Sequence, residues 1–236
     1  MDSDQFAPLG DSGIIVKMGD GIDQKTHEKV QALARLLQKH PFEGIIEIVP
    51  GFTTVAVFYD PIRLFHLGIE FPYNWVLAKL KEIMATLPET SVKDARVVEI
   101  PVCYGKEFGP DLEVVAVHNG LTPDEVIRIH SETEYLVHMI GFAPGFPYLG
   151  GMDERIITPR RSTPRLKIPA GSVGIGGEQT GIYPIESPGG WQLIGRTPQR
   201  LFRYEGEPPS LLQAGDLVRF RPISLVEYHK LEGADS

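Results

Sequence analysis

The sequence predicts an α+β chain with a ferredoxin-like βαββαβ unit over residues 1–100 and a strand-rich unit over 101–230, followed by a flexible tail over 231–236. Three observations lead there. Strand and helix periodicities alternate through the first hundred residues in the split-βαβ order. After about residue 134, short apolar runs are separated by Gly and Pro every few positions, the pattern of a barrel or sandwich. The chain has 236 residues, 42% apolar and 23% charged, enough to bury a full core in one or two domains.

The elements follow in order. Gly13 to Met18 is a short apolar strand. Asp23 stands as N-cap before a helical pattern with Val30, Leu33, Ala34 and Leu37 on one face, ending near His40-Pro41. Ile45 to Val49 and Thr53 to Tyr59 read as strands joined through Pro50 and Gly51. Asn74 to Leu87 returns to helical spacing through Val76, Leu77, Leu80, Ile83 and Met84, and Arg96 to Val102 is strand again. In the second unit, Asp111 to His118 and Pro123 to His130 form short helices, the latter with Thr122 as N-cap and Pro123 at its first position. Tyr135 to Ile140 opens the β-rich region, which runs to Pro222, and LEGADS reads as a frayed end.

Composition excludes several classes. A net charge of −8 argues against a nucleic-acid binder, which needs a basic face, and serves solubility. No apolar run approaches the ~18 residues of a membrane span. The acidic start, MDSDQFAPLGDSG, lacks the regions of a secretory signal. One cysteine excludes an internal disulfide and fits a reducing cytoplasm; Cys103, at the end of a strand-like run, reads as a buried structural thiol.

Standard catalytic signatures are missing. GSVGIGGEQTG lacks the Lys of a phosphate loop. AGSVG has Ala170 where a nucleophile elbow requires Gly, so Ser172 reads as a turn residue. HEKVQ is not HExxH, and His27 is expected on a solvated helix face. His118, His130 and His138 lack metal-site spacing, so no metal is expected.

The chemistry concentrates between Gly141 and Thr197. PRRSTPRLK sets Arg160, Arg161, Arg165 and Lys167 among prolines that stiffen the backbone. Such a loop suits a carboxylate or phosphate, because Arg offers a planar fork of donors; alternatively, these cations pair with acidic residues across the barrel or an interface. Arg165 and Lys167 alternate along a strand and are expected to share one face. GEQTGIYP offers Glu178 as general base, Gln179 to orient an amide or water, and Tyr183. The competing account is turn residues that satisfy their own backbone, Thr180 above all. Phe142, Phe146 and Tyr148 in GFAPGFPYL, and Trp191 after Pro188-Gly189-Gly190, either wall a pocket, anchor a partner or pack in the core. His118, before the Asn119-Gly120 stop, is either a helix cap or a catalytic group leaning over the barrel mouth, and His130 reads as a cap favouring the helix dipole.

These motifs carry a family resemblance. GF-x-PGF-x-YL, PR-x-x-x-PR-x-x-IPAGSV, GGEQTGIYP and SPGGW-x-LIGRTP, in this order, resemble the family that contains the B subunit of prokaryotic 5-oxoprolinase. That family also holds the sporulation-kinase inhibitor KipI and the first-subunit region of allophanate hydrolase and urea carboxylase. GDSGIIVKMG, PGFTTVAVFYDP, PVCYG-x-x-FGPDLE and AGDLVRFRPIS extend the resemblance along nearly the whole chain.

The resemblance implies a cyclophilin-like barrel for the second unit. It implies ATP-dependent opening of 5-oxo-L-proline to L-glutamate, in a complex with C and A subunits and inactive alone. ATP would be a cosubstrate in a site shared with a partner. On this reading Glu178 and His118 are the candidate catalytic groups, and Arg160, Arg165, Lys167, Gln179 and Tyr183 bind substrate. A KipI-type binding module acting on a histidine kinase is the alternative. Prolyl isomerisation and a urea-related carboxyltransferase role come after it.

Overall fold

The computed structural model describes residues 5–21, 23–87 and 95–234, and its contacts divide into two units, Met1–Asp94 and Ala95–Ser236. In the first unit, β1 (Phe6–Pro8), β2 (Gly13–Lys17), β3 (Ile45–Pro50) and β4 (Thr54–Tyr59) form one antiparallel sheet in the order β1-β2-β4-β3. Helix α1 (Gln24–Lys39) starts where the Asp23 carboxylate accepts the Thr26 N–H at 2.8 Å. Its apolar stripe, Val30, Leu33 and Leu37, is fully buried with Val55 and Val57 of β4 and with Val76 and Leu80 of α3 (Pro72–Ala85). His27, expected on a solvated face, is buried at 3% exposure. It lies three residues before Val30 and so falls on the same stripe. A short α2 (Pro61–His66), which the sequence does not announce by periodicity, is nucleated by Asp60 capping Arg63 and by Pro61 at the first position.

The expected sixth element of the βαββαβ pattern does not join this sheet. β5 (Val97–Tyr104) belongs to the second unit, and the expected boundary at 100/101 falls inside it. The place beside β2 is taken by β1, a strand too short to stand out in the sequence.

The second unit is a closed seven-stranded barrel in the order β10-β7-β6-β13-β5-β12-β9. Its further strands are β6 (Glu134–Ile140), β7 (Pro147–Gly150), β9 (Ser172–Gly176), β10 (Gln179–Ile182), β12 (Gln192–Arg196) and β13 (Leu217–Pro222). The ribbon β8 (Arg165–Ile168) with β11 (Ser187–Gly189) stands apart from the barrel ladder. β5 and β13 run parallel, Val97 opposite Leu217 through Val102 opposite Pro222; the other barrel pairs among the described residues are antiparallel.

Two short helices share the barrel's core, α4 (Leu112–Asn119) through Leu112, Val115 and Ala116, and α5 (Pro123–Glu132) through Val126 and Ile129. α5 opens on a complete capping box between Thr122 and Glu125. The last helix, α6 (Leu225–Ala234), corrects the expected tail: residues 231–234 are helical, and 235–236 lie outside the described residues. Tyr228 stacks on Phe108 with ring centroids 4.3 Å apart, and Leu231 packs on the same cluster as buried Cys103. Burial pushes the Cys103 thiol up, which keeps it an inert thiol. Ser172 closes a turn, its N–H donating to the Pro169 carbonyl at 3.3 Å, and is also the buried first residue of β9. Within that turn Gly171 takes φ +79°, where a Cβ would lie 2.3 Å from the Thr197 carbonyl oxygen.

His130 overturns its expectation as a helix cap. Its ring enters the barrel core, stacks on Phe220 at 4.4 Å, and bridges Tyr104 of β5 to Thr180 of β10. Thr180 donates its hydroxyl to the Gly174 carbonyl at 3.0 Å, so Thr180 Oγ1 accepts from His130 Nε2 at 2.9 Å. Nδ1 is therefore the acceptor of the Tyr104 hydroxyl at 2.8 Å. A neutral Nε2–H imidazole satisfies every group in this line, and burial lowers the His130 pKa from its ordinary 6.5 to about 3.

The unfolded chain takes up this proton near pH 6.5 while the folded state refuses it down to about 3. Stability is therefore full above about 6.5 and falls as the pH drops through that window. Urea unfolding from pH 7 to 4 should show the wild type losing stability more steeply than His130→Phe, the excess approaching about 1.4 kcal/mol per pH unit. Equal slopes would refute the buried neutral imidazole.

Candidate functional site

The segment 158–161 is tied by hydrogen bonds to α4, to the turn before β10 and to the start of β12. Thr158 accepts the Gly177 N–H on its carbonyl at 2.8 Å and the Asn119 carboxamide on its hydroxyl at 3.0 Å. The Pro159 carbonyl accepts from Gln192 Nε2 at 3.0 Å, and the Arg161 N–H donates to the Gly190 carbonyl at 2.7 Å. Arg160, between them, is exposed and holds its guanidinium 5.8 Å from the centroid of the Trp191 ring.

The aromatics singled out from sequence form one cluster with Phe146 at its centre. Its ring lies 5.4 Å from Phe142, 5.2 Å from Tyr148, 5.7 Å from Tyr183 and 5.7 Å from Trp191, all edge-on. Phe146, Tyr183 and Trp191 are buried with Ile168 and Leu193, and Tyr148 is half-buried. Phe142 differs: it is 67% exposed and its backbone takes φ +68°, a conformation disfavoured for any residue with a Cβ. Hydrogen bonds from Gly141 N to Phe146 O and from Ala143 N to Gly141 O hold it there. Beside it lies an open cleft of about 450 Å³ lined by residues 140–145, Phe202 and Ser210.

The cations divide. Arg161 and Arg165 both reach Asp111, which is 3% exposed: Oδ1 accepts Arg161 Nη1 at 3.0 Å and Arg165 Nη2 at 2.8 Å. Lys167 faces outward instead, ion-paired with exposed Glu186 at 3.0 Å. The shared face expected of Arg165 and Lys167 is lost because β8 and β11 slip register between Ser187 and Gly189. Burial pushes the Tyr183 phenol up, against the Trp191 backbone N–H and the charges of Arg160 and Arg165, which pull it down.

Glu178 is exposed on the turn between β9 and β10, and Gln179 begins β10 opposite Gly176. His118 is exposed in the last turn of α4, which Gly120 ends in the left-handed conformation. The neighbours of His118 and Glu178, Asn119 and Gly177, both bond to Thr158. Sequence reasoning missed Asp111 as a site residue, because its partners lie 50 and 54 positions downstream. Among the described residues no group of three potential metal ligands occurs, and no helix is long and apolar enough to cross a membrane.

The second unit is a closed, cyclophilin-like seven-stranded barrel within an α+β chain. The chain belongs to the carboxyltransferase domain, subdomain C and D, family, whose model matches residues 5–212. It is 53% identical over 228 residues to the B subunit of 5-oxoprolinase from Bacillus subtilis strain 168, covering 95% of each chain. It is 45% identical over 215 residues to the protein of the same name from Haemophilus influenzae, covering 91% of this chain and 96% of that one. Among solved structures, the protein TTHA0988 is similar with a TM-score of 0.77 at 37% identity. The match covers 90% of this chain but only 40% of that longer chain.

Gly176 tests the packing of the site. A Cβ there would lie 2.5 Å from Cδ1 and Nε1 of the Trp191 ring. Gly176→Ala should displace the indole, cost about 1–3 kcal/mol in urea unfolding and shift tryptophan emission. Unchanged emission and stability would show that the ring does not rest on that glycine.

Proposed function

We propose that this chain is the B subunit of an ATP-dependent 5-oxoprolinase, hydrolysing 5-oxo-L-proline to L-glutamate only together with C and A subunits. The observation that carries the reading is the end-to-end match to bacterial proteins of that name, at 53% and 45% identity. The site supports it chemically. A lactam is a poor electrophile, and ATP supplies the activation by phosphorylating the lactam oxygen. Water then adds at that carbon, the C–N bond breaks to free the amine, and a second water hydrolyses the resulting acyl phosphate to L-glutamate and phosphate. Such chemistry needs cations around oxyanions, a grip on the substrate carboxylate and a base for water.

The donor set fits these demands. Arg160 offers a planar fork for a carboxylate or phosphoryl oxygens, and Arg165, whose two Nη atoms face Asp111, adds positive charge. Tyr183, kept protonated by burial, is a hydrogen-bond donor at the same place. Glu178 is the candidate base and Gln179 the group that orients an amide or water, with His118 a second candidate for proton transfer. Lys167 would join the binding groups only by leaving Glu186. Phe142 is the candidate anchor for a partner subunit: a strained, exposed aromatic beside an open cleft suits insertion into a partner's pocket.

5-Oxoproline-dependent ADP release should be absent with this chain alone and appear when the C and A subunits are added. Silence in every mixture would overturn the reading. Phe142→Ala should weaken association with the C subunit about 10- to 100-fold in a pull-down titration while leaving the melting temperature within a degree or two. Unaltered association would remove Phe142 from the interface.

A further inference from the structure

Asp111 occupies the N-cap position of α4 but makes no capping hydrogen bond. An aspartate there ordinarily accepts from the helix's own first turn. This carboxylate is turned away instead. Its Oδ2 accepts the Leu193 N–H at 2.7 Å, while the Asp111 N–H donates to the Leu193 carbonyl at 2.9 Å. Its Oδ1 takes Arg161 and Arg165 together, and Arg165 Nη1 lies 2.8 Å from Oδ2. The loop before it is shaped for this placement. Gly105 and Lys106 both have positive φ, and a Cβ on Gly109 would lie 2.1 Å from the Ile194 carbonyl oxygen.

The charges do not balance. One carboxylate faces two guanidinium groups from a single stiff segment, and Arg160 adds a third cation over Trp191. Neutralising a buried carboxylate requires one arginine. The second leaves positive charge at a partly sheltered place, where an anion is the natural complement. Arg161 Nε is enclosed and has no acceptor among the described residues. The Arg161 and Arg165 side chains keep 35% and 23% of their surface exposed, so the pair is partly open to solvent.

We propose that Asp111 is a positioning residue, which clamps Arg161 and Arg165 into a preformed site for an oxyanion. The shared chemistry is a carboxylate or a phosphoryl group; that the ligand belongs to the 5-oxoprolinase reaction rests on the function proposed above. Clamping matters because two unrestrained guanidinium groups repel each other and must be ordered by the ligand itself.

The test needs no turnover at its first stage. Calorimetric titration of the isolated chain with inorganic phosphate, and separately with 5-oxoproline, should detect saturable binding of at least one. Asp111→Asn keeps an oxygen acceptor for the Leu193 N–H and removes the charge. It should weaken that binding at least tenfold, as should Arg161→Gln, which leaves Asp111 paired with Arg165. Arg219→Ala, at the surface pair with Glu134, should leave it unchanged.

A carboxylate that merely neutralised the arginines would give the opposite sign, tighter anion binding in Asp111→Asn. Tighter or unchanged binding, or no binding by the wild-type chain, overturns the proposal. In the reconstituted complex, the same substitution should raise the KM for one substrate at least tenfold with a smaller change in kcat. A shift for 5-oxoproline assigns the site to its carboxylate, and a shift for ATP assigns it to phosphate. A parallel fall of kcat and melting temperature with neither KM altered would reduce Asp111 to a structural residue. Ligand binding that depends on Asp111 in a complex without 5-oxoproline turnover would leave the oxyanion site standing and remove the functional reading alone.

Discussion

The parallel pairing of β5 with β13 is the constraint on which the second unit depends. It joins residues 120 positions apart and closes the barrel between its first strand and its last. Arg96 locks the start of this register, with Nε 3.0 Å from Asp216 Oδ1 and Nη2 2.7 Å from the Leu211 carbonyl. Asp216 is itself buried and also accepts the Gln213 N–H at 2.7 Å. Two structural consequences follow from where β5 then ends. Tyr104 meets the His130 ring, and the loop after it delivers Asp111 to the edge of β12.

The barrel treats buried polarity in two ways. Inside, the line from Tyr104 through His130 and Thr180 to the Gly174 carbonyl is closed, each donor having one acceptor and no net charge. Such a line specifies one arrangement of an otherwise apolar core, since any slip leaves a polar group unpaired at a cost of about 1–3 kcal/mol. On the outside, around Asp111, cations outnumber the carboxylate that orders them. The first arrangement has the character of architecture, and the second is the one on which the proposed oxyanion site rests. The aromatic cluster around Phe146 connects them to the surface, because it supports Trp191 beneath Arg160 and carries Phe142 at its exposed edge.

Much of this was legible locally. Asp23 and Thr122 capped the helices they were expected to cap, and the stripe from Val30 to Leu37 faced the core. The Gly- and Pro-punctuated run from Gly141 to Thr197 proved rich in short strands, because its turns are set by residues that only tight turns accommodate. The five aromatics singled out did converge. Local reading failed where a residue's environment is made by distant chain. β5 has a strand's pattern wherever it pairs, so the sequence could not choose its sheet. His130 sits near a helix end, where a capping role is the nearest explanation, but its partners are on β5 and β10. Arg165 and Lys167, expected to share one face of β8, take different partners where the β8–β11 register shifts.

By itself the sequence determined most of the longer elements, the caps of α1 and α5 and the family. Each of these rests on interactions within about ten residues or on motifs that can be read in line. The tertiary structure alone decided which sheet received β5, which polar groups were closed within the barrel, and which carboxylate gathers the arginines. Those outcomes depend on pairings between residues 26 to 120 positions apart. Burial and hydrogen-bond satisfaction choose among such pairings only once the barrel has closed.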